Sequence, residues 1–261
     1  MGGTTMHKVR PDDAYPPEPG CFLVGNPYSP VAVAVLLDWP YNVRPPTVKD
    51  VPPEIEALVR AGLEYGAALS GTLQTENIGI EKIICNVVAN PNIRFLILCG
   101  NEVRQYKTGG TLKALFQNGA NDKRTIVGAP GRSAYLLNIS PEMVQRFLRQ
   151  VTLINLLDEI DPQEVKLAVT CCLQEKPASY RHYSLCDPGA FAEPAIVRSL
   201  TYHVKHPGEV EEWQIPQILE KISAAEQGLV EPGIESLGER LAKIAEELAE
   251  VARILTKKRP S

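Results

Sequence analysis

Two polar loops carry the residue types best suited to handling a ligand. The first runs Gln74-Thr75-Glu76-Asn77 and leads into Ile-Gly-Ile-Glu81-Lys82. Thr75 or Asn77 can cap a helix starting there, and the free backbone donors of its first turn can hold an anion or an amide; capping alone is the competing reading. The second runs Gly100-Asn-Glu-Val-Arg104-Gln-Tyr106-Lys107-Thr108-Gly109-Gly110. Its glycines let backbone approach a ligand closely, and Arg104, Tyr106 and Lys107 are polar groups able to point at one. A third loop, Gly128-Ala-Pro-Gly-Arg132, can line the same edge. None of these is a Gly-x-Gly-x-x-Gly or Walker-type loop, so nucleotide binding has no motif behind it. The four histidines are His7, His182, His203 and His206. The pairings His182 with Cys186 and His203 with His206 have ligand-like spacing, but four ligands cannot be assigned, so they read as scattered surface or partly buried residues. No recognised motif sets a serine or cysteine nucleophile beside a base.

The elements that position these loops are legible from apolar patterning. Residues 31–37 (VAVAVLL) form an unalternating apolar run, as expected of a strand covered on both faces. Further strands are expected at 67–73, 93–99 and 151–157, with a short one at 125–127. Helices are expected at 54–64, 77–89 and 111–117, from Pro141 behind an N-cap at Ser140, and from Asp161-Pro162 to about Leu173. Strands alternating with helices predict an α/β fold: a Rossmann-like, mostly parallel sheet with helices on both faces. In such sheets ligands bind beyond the carboxyl ends of the strands, where the two polar loops fall. Eleven of the 22 prolines precede residue 54, so the first fifty residues are expected to be mostly extended around one strand. Residues 177–232 are less regular, with a strand expected at 196–202 and a helix at 215–227. The last helix, 234–256, repeats Ile234, Leu237, Leu241, Ile244, Leu248, Val251 and Leu255 over three heptads. That face either packs on the chain's own body or dimerises or docks a partner.

Bulk properties narrow the class. The 261 residues carry 27 basic and 31 acidic side chains, a net charge of −4, which offers no basic face for nucleic acid. The longest strongly apolar run is seven residues, against about 20 needed to span a bilayer. Residues 1–15 lack the apolar stretch of a signal peptide. A soluble, cytoplasmic protein is expected, with its six cysteines reduced and mostly structural.

Several stretches together resemble the A subunit of tetrahydromethanopterin S-methyltransferase. They are Thr75-Glu-Asn-Ile-Gly-Ile-Glu-Lys82, Asn90-Pro-Asn-Ile-Arg-Phe-Leu-Ile-Leu-Cys-Gly100, Glu102-Val103, Thr108-Gly109, Lys113-Ala-Leu115, Asn118-Gly119, Gly25-Asn-Pro-Tyr-Ser-Pro-Val-Ala-Val33 and residues 150–158. The similarity covers about residues 20 to 175. It implies a carrier domain at 21–176, after an extended or disordered lead at 1–20 and before a C-terminal extension at 177–261. It also implies a cobalamin-type corrinoid held near Gln74, Thr75, Glu76, Asn77, Gly100, Tyr106, Lys107, Thr108 and Gly109. In the family, cobalt accepts a methyl group from the pterin and passes it to coenzyme M in one-carbon metabolism. A histidine in the loop after the third strand is its lower axial ligand. An ungapped match puts Tyr106 at that histidine's place, and Gln74, just before Thr-Glu-Asn, is a second departure. A phenol, with a pKa near 10, must lose its proton to bind cobalt well, and phenolate suits oxidised rather than reduced metal.

The resemblance therefore implies a soluble corrinoid-binding methyl carrier working with separate methyltransferase partner proteins. The alternative is a non-catalytic homologue that has lost the axial histidine and acts in pterin or metabolite binding or in assembly. The family's membrane-bound members finish in a hydrophobic anchor. The charged heptad helix here implies no membrane span, with a homodimer through that helix as one outcome.

Overall fold

The computed structural model describes residues 7–40 and 45–201. Five strands form one sheet: β1 (Phe22–Val24), β2 (Val31–Leu36), β3 (Leu69–Leu73), β4 (Phe95–Gly100) and β5 (Thr152–Leu157), in the order β1-β3-β2-β4-β5. The β3-β2, β2-β4 and β4-β5 pairs are parallel, and only β1 runs antiparallel, on the outer edge of β3. Every residue of β2 and β4 is buried, which is why both read as unbroken apolar runs. The fold is the α/β class expected, Rossmann-like and mostly parallel.

Alternation along the strands divides the core into two faces. Val31, Val33, Val35, Ile97, Cys99, Ile154 and Leu156 share a buried cluster with Leu58 and Val59 of α1 (Pro53–Glu64) and Val165 and Val169 of α5 (Pro162–Cys172). Ala32, Ala34, Leu36, Leu96 and Leu98, each at most 3% exposed, point the other way. There Ala32, Ala34 and Leu96 face Ile83 and Val87 of α2 (Ile78–Val88) across a small cavity, and α4 (Pro141–Gln150) packs against α2. The chain moves outward from β2 to β3, then crosses back over β2 to β4. The carboxyl ends of β2 and β4 therefore form the switch point at which an open α/β sheet leaves a crevice.

Three expectations need correction. The helix expected at 111–117 is α3 (Thr108–Asn118), so Thr108, Gly109 and Gly110 form its first turn rather than a loop. Lys107 supplies no side-chain cap, and the missing cap is a carboxylate from Glu102. Residues 196–201 form no strand: Ile196 donates to the Val88 carbonyl and Leu200 to Glu18, single tethers with no strand edge alongside. At 125–127 there are only two isolated bridges, Ala120 to Ile126 and Thr125 to Tyr135. The sequence also hid β1 and the hairpin of β6 (Ala178–Tyr180) and β7 (Tyr183–Leu185). Each is three residues long, and the hairpin turns through Arg181 at φ 51° without a glycine or asparagine. The expected helices at 215–227 and 234–256, with His203 and His206, lie outside the described residues.

The described residues from 7 to 200 form one compact unit, so 177–200 continue the body of the domain. The lead is fastened as well. Val9 exchanges two backbone hydrogen bonds with the Asn92 amide, and Glu18 does the same with Asn86. Gln150 Nε2 lies 3.0–3.1 Å from the carbonyls of Val87, Asn90 and Ile93, closing the turn between α2 and β4.

All six cysteines are free thiols. Burial pushes Cys99 up to about 12, and Cys85 and Cys172 further still. Only the thiolate attacks a disulfide reagent. At pH 8 the native protein is expected to react only at the partly exposed Cys21, Cys171 and Cys186, with the other three appearing after unfolding. Thiol counting with an aromatic disulfide, before and after denaturant, checks this.

Candidate functional site

Four loops meet at the carboxyl edge of the sheet: 37–40 after β2, 74–77 after β3, 101–107 after β4 and 158–161 after β5. Gly100 ends β4 at φ 89°, and a Cβ there would lie 3.1 Å from both the nitrogen and the oxygen of Leu36. Backbone thus abuts backbone across the switch point, as only glycine allows. Gly109 is equally close-packed: its Cβ would lie 2.7 Å from Leu36 Cδ1 and 2.6 Å from Leu157 Cδ1.

Glu102 organises the loop after β4. Its carboxylate accepts from Val103 N at 2.8 Å, Gly109 N at 2.9 Å and Gly110 N at 2.7 Å, filling the positive end of α3. Its own N–H donates to Asp158 Oδ1 at 3.0 Å, which joins the β4 and β5 loops. A carboxylate seven and eight residues ahead of its two glycine partners is not recognisable from spacing, and only the fold reveals Glu102 as a site residue. The backbone N–H groups of Gly109 and Gly110, in the stretch expected to approach a ligand closely, are taken by it.

The Thr-Glu-Asn stretch divides its tasks. Asn77 Oδ1 accepts from Ile78 N, and Thr75 Oγ1 from Gly79 N, so both cap α2. Gln74 Nε2 lies 3.3 Å from the carbonyls of Trp39 and Pro40, and its own carbonyl accepts from Thr108 Oγ1 at 2.9 Å. Three loops are pinned through one residue. Glu76 is 2% exposed and turns its Oε1 to the N–H of Ser133 at 3.1 Å. Further along, Glu81 accepts from both nitrogens of Asn138, and Lys82 donates to the Pro19 carbonyl. Most of this signature therefore fastens surrounding segments to α2.

Lys107 is exposed, at φ 50° just before α3, and Arg104 and Arg132 are exposed too. The Tyr106 hydroxyl is shielded from solvent, and its backbone lies under the 128–133 loop: a Cβ on Gly131 would be 2.7 Å from Tyr106 O and 2.8 Å from Glu76 Cγ. Two side-chain atoms here are buried with no hydrogen-bond partner, Glu76 Oε2 and Trp39 Nε1. Sequence reasoning missed Trp39; its place immediately after β2 was the signal available. His182 stacks on Tyr183 with ring centroids 4.0 Å apart, outside this edge. Among the described residues no three His, Cys, Asp or Glu side chains are grouped to hold a metal. Nor is any helix among them long and apolar enough to cross a membrane. A separate cavity of about 100 Å³ runs beneath α2 where Ala32, Ala34 and Gly71 leave the sheet face unfilled.

A sequence profile for the A subunit of tetrahydromethanopterin S-methyltransferase matches residues 54–205. The chain is 40% identical over 208 residues to the A subunit, form 1, of that enzyme from Methanothermobacter thermautotrophicus, covering 79% of this chain and 74% of the relative. The A subunit from Methanocaldococcus jannaschii is 35% identical over 221 residues, 84% of this chain and 80% of its own. The A subunit, form 2, from Methanobrevibacter ruminantium is 38% identical over 184 residues, 70% and 80% of the two chains.

Proposed function

The chain belongs to the family of the A subunit of tetrahydromethanopterin S-methyltransferase, and on that premise we propose that it is a corrinoid-binding methyl carrier of a pterin-dependent methyltransferase system. The observation that carries the reading is the edge at the switch point. The Gln74–Asn77 and Gly100–Gly109 stretches, far apart in sequence, are locked together there by the bond from Thr108 to Gln74. A corrinoid is a broad ring fringed with carboxamides, so it asks its site for single donors and acceptors around a wide rim. The residues present fit that demand, since Trp39 Nε1 is a buried donor with no acceptor of its own. Bound there, the group supplies a cobalt that takes up and hands on a methyl group. The chain's part is to hold the ring and to set what lies beneath it.

At the position of the family's histidine this chain has Tyr106, which would be the residue presented to the cobalt. A neutral phenol is a poor ligand for cobalt, so Tyr106 would stand at the histidine's place without binding the metal strongly. Partner chains supply the methyl donor and acceptor, in keeping with relatives named as subunits. The test is the absorbance spectrum of the full chain loaded with hydroxocobalamin. Tyr106→His is expected to move the visible bands to those of an imidazole-ligated corrinoid. An identical spectrum in the two proteins would remove Tyr106 from the cobalt face. The tyrosine also favours a second reading, a non-catalytic pterin-binding or assembly protein. Calorimetry showing heat with a reduced pterin and none with cobalamin would select it.

A further inference from the structure

We propose that Glu76 couples the ligand to the loop that covers it: Oε1 latches the 128–133 loop, and Oε2 accepts an N–H from a carboxamide on the corrin rim. This assignment rests on the corrinoid reading above.

Four observations lead to it. Glu76 is 2% exposed, and its Oε1 is engaged by Ser133 N at 3.1 Å, while Oε2 has no partner. A buried acceptor left unmade is costly, so such atoms in native proteins call for an occupant. An ionised carboxylate is acceptor-only, so the occupant must donate. Glu76 also stands on the loop leaving β3, beside the switch point, where a rim group of a bound ring would arrive. The cover is specific to glycine. A Cβ on Gly131 would lie 2.7 Å from Thr111 Oγ1, 2.7 Å from Tyr106 O and 2.8 Å from Glu76 Cγ. On that side the loop is held by the single bond from Gly131 N to Thr111 Oγ1 at 3.2 Å. A loop tied to Glu76 and Thr111 by one hydrogen bond each, over an unmet carboxylate oxygen, can lift to admit the rim and close again on the same side chain.

Carboxamides are the donors of choice because a corrin rim presents several and no cation. Glu76→Gln is the discriminating substitution, since it keeps size and keeps a carbonyl for Ser133. It puts an NH2 group where Oε2 was, and a donor facing a donor repels.

The experiment titrates the full chain with hydroxocobalamin by calorimetry and follows amide exchange of the loop with and without it. Wild type is expected to bind and to slow exchange across 128–133. Glu76→Gln is expected to bind at least tenfold more weakly, without the slowing and with its melting temperature within a few degrees. An affinity within twofold of wild type, with the slowing intact, overturns the role of Glu76 and leaves the corrinoid reading standing. Absence of binding by wild type overturns that reading and this assignment with it. Should Glu76→Gln fold poorly, Gly131→Ala takes its place, since the carboxylate stays and the loop is pushed away. It is expected to lose the ligand-dependent slowing, and retention of the slowing overturns the coupling.

Discussion

Glu102→Ala is expected to destabilise the protein by about 3 kcal/mol and to unravel the first turn of α3. The figure follows from three backbone donors losing one charged acceptor, at about 1.5 kcal/mol or more for each such bond before solvent relieves part of the loss. Val103, Gly109 and Gly110 are those donors, at 2.7–2.9 Å, and Gly109 is buried, so water cannot fully replace the carboxylate. Two glycines in a first turn add backbone entropy to the loss, since alanine at 102 leaves nothing to hold their φ and ψ. The change also frees Thr108, whose hydroxyl fixes the Gln74 carbonyl, so the two halves of the candidate site separate. Urea unfolding measures the stability. Glu102→Gln, which retains one acceptor, is expected to recover about half of it. A loss under 1 kcal/mol in Glu102→Ala would mean the carboxylate is not the cap of α3.

Arg146→Ala is expected to cost a similar amount, about 3 kcal/mol, and to release residues 187–200. Arg146 is 1% exposed, and burial lowers its affinity for the proton, with Glu193 opposing that. Its guanidinium bonds Gln150 Oε1 at 2.9 Å, the Pro194 carbonyl at 2.8 Å and the Glu193 carbonyl at 3.0 Å, and covers the Phe191 ring at 4.5 Å. Among the described residues no other side chain fastens that strap to α4 at so many points. Arg146→Met restores the packing of the stem without the fork, so it should recover stability in part and leave the strap loose. Limited proteolysis reads the second effect: cleavage within 187–200 is expected in both variants and not in wild type.

How much of this is legible in the sequence depends on where the partners lie. Ile80, Ile84, Val87 and Val88 announce α2 because a helix buries residues one turn apart. The runs at 31–36 and 95–100 announce β2 and β4 because both faces are covered. β1 is three residues on an edge, and its partners at 69–71 lie 45 to 49 positions away by register, so nothing local marks it. The Thr-Glu-Asn-x-Gly-Ile-Glu-Lys stretch is visible as a motif, yet its division of labour is not. Asn77 and Thr75 cap locally, as side-chain type suggests. Glu81 and Lys82, by contrast, reach Asn138 and Pro19, contacts that only the fold creates. Tyr106, Gln74 and Gly100 stand out in the loops, and the bond from Thr108 to the Gln74 carbonyl ties two of those loops together. Trp39 and the buried oxygen of Glu76 emerge only once the chain is closed around them.

The most direct test is a titration of the purified full chain with hydroxocobalamin, followed together by absorbance and heat. One site per chain is predicted, with a shift of the visible bands on binding. A flat thermogram and an unchanged spectrum at saturating cobalamin would contradict the account.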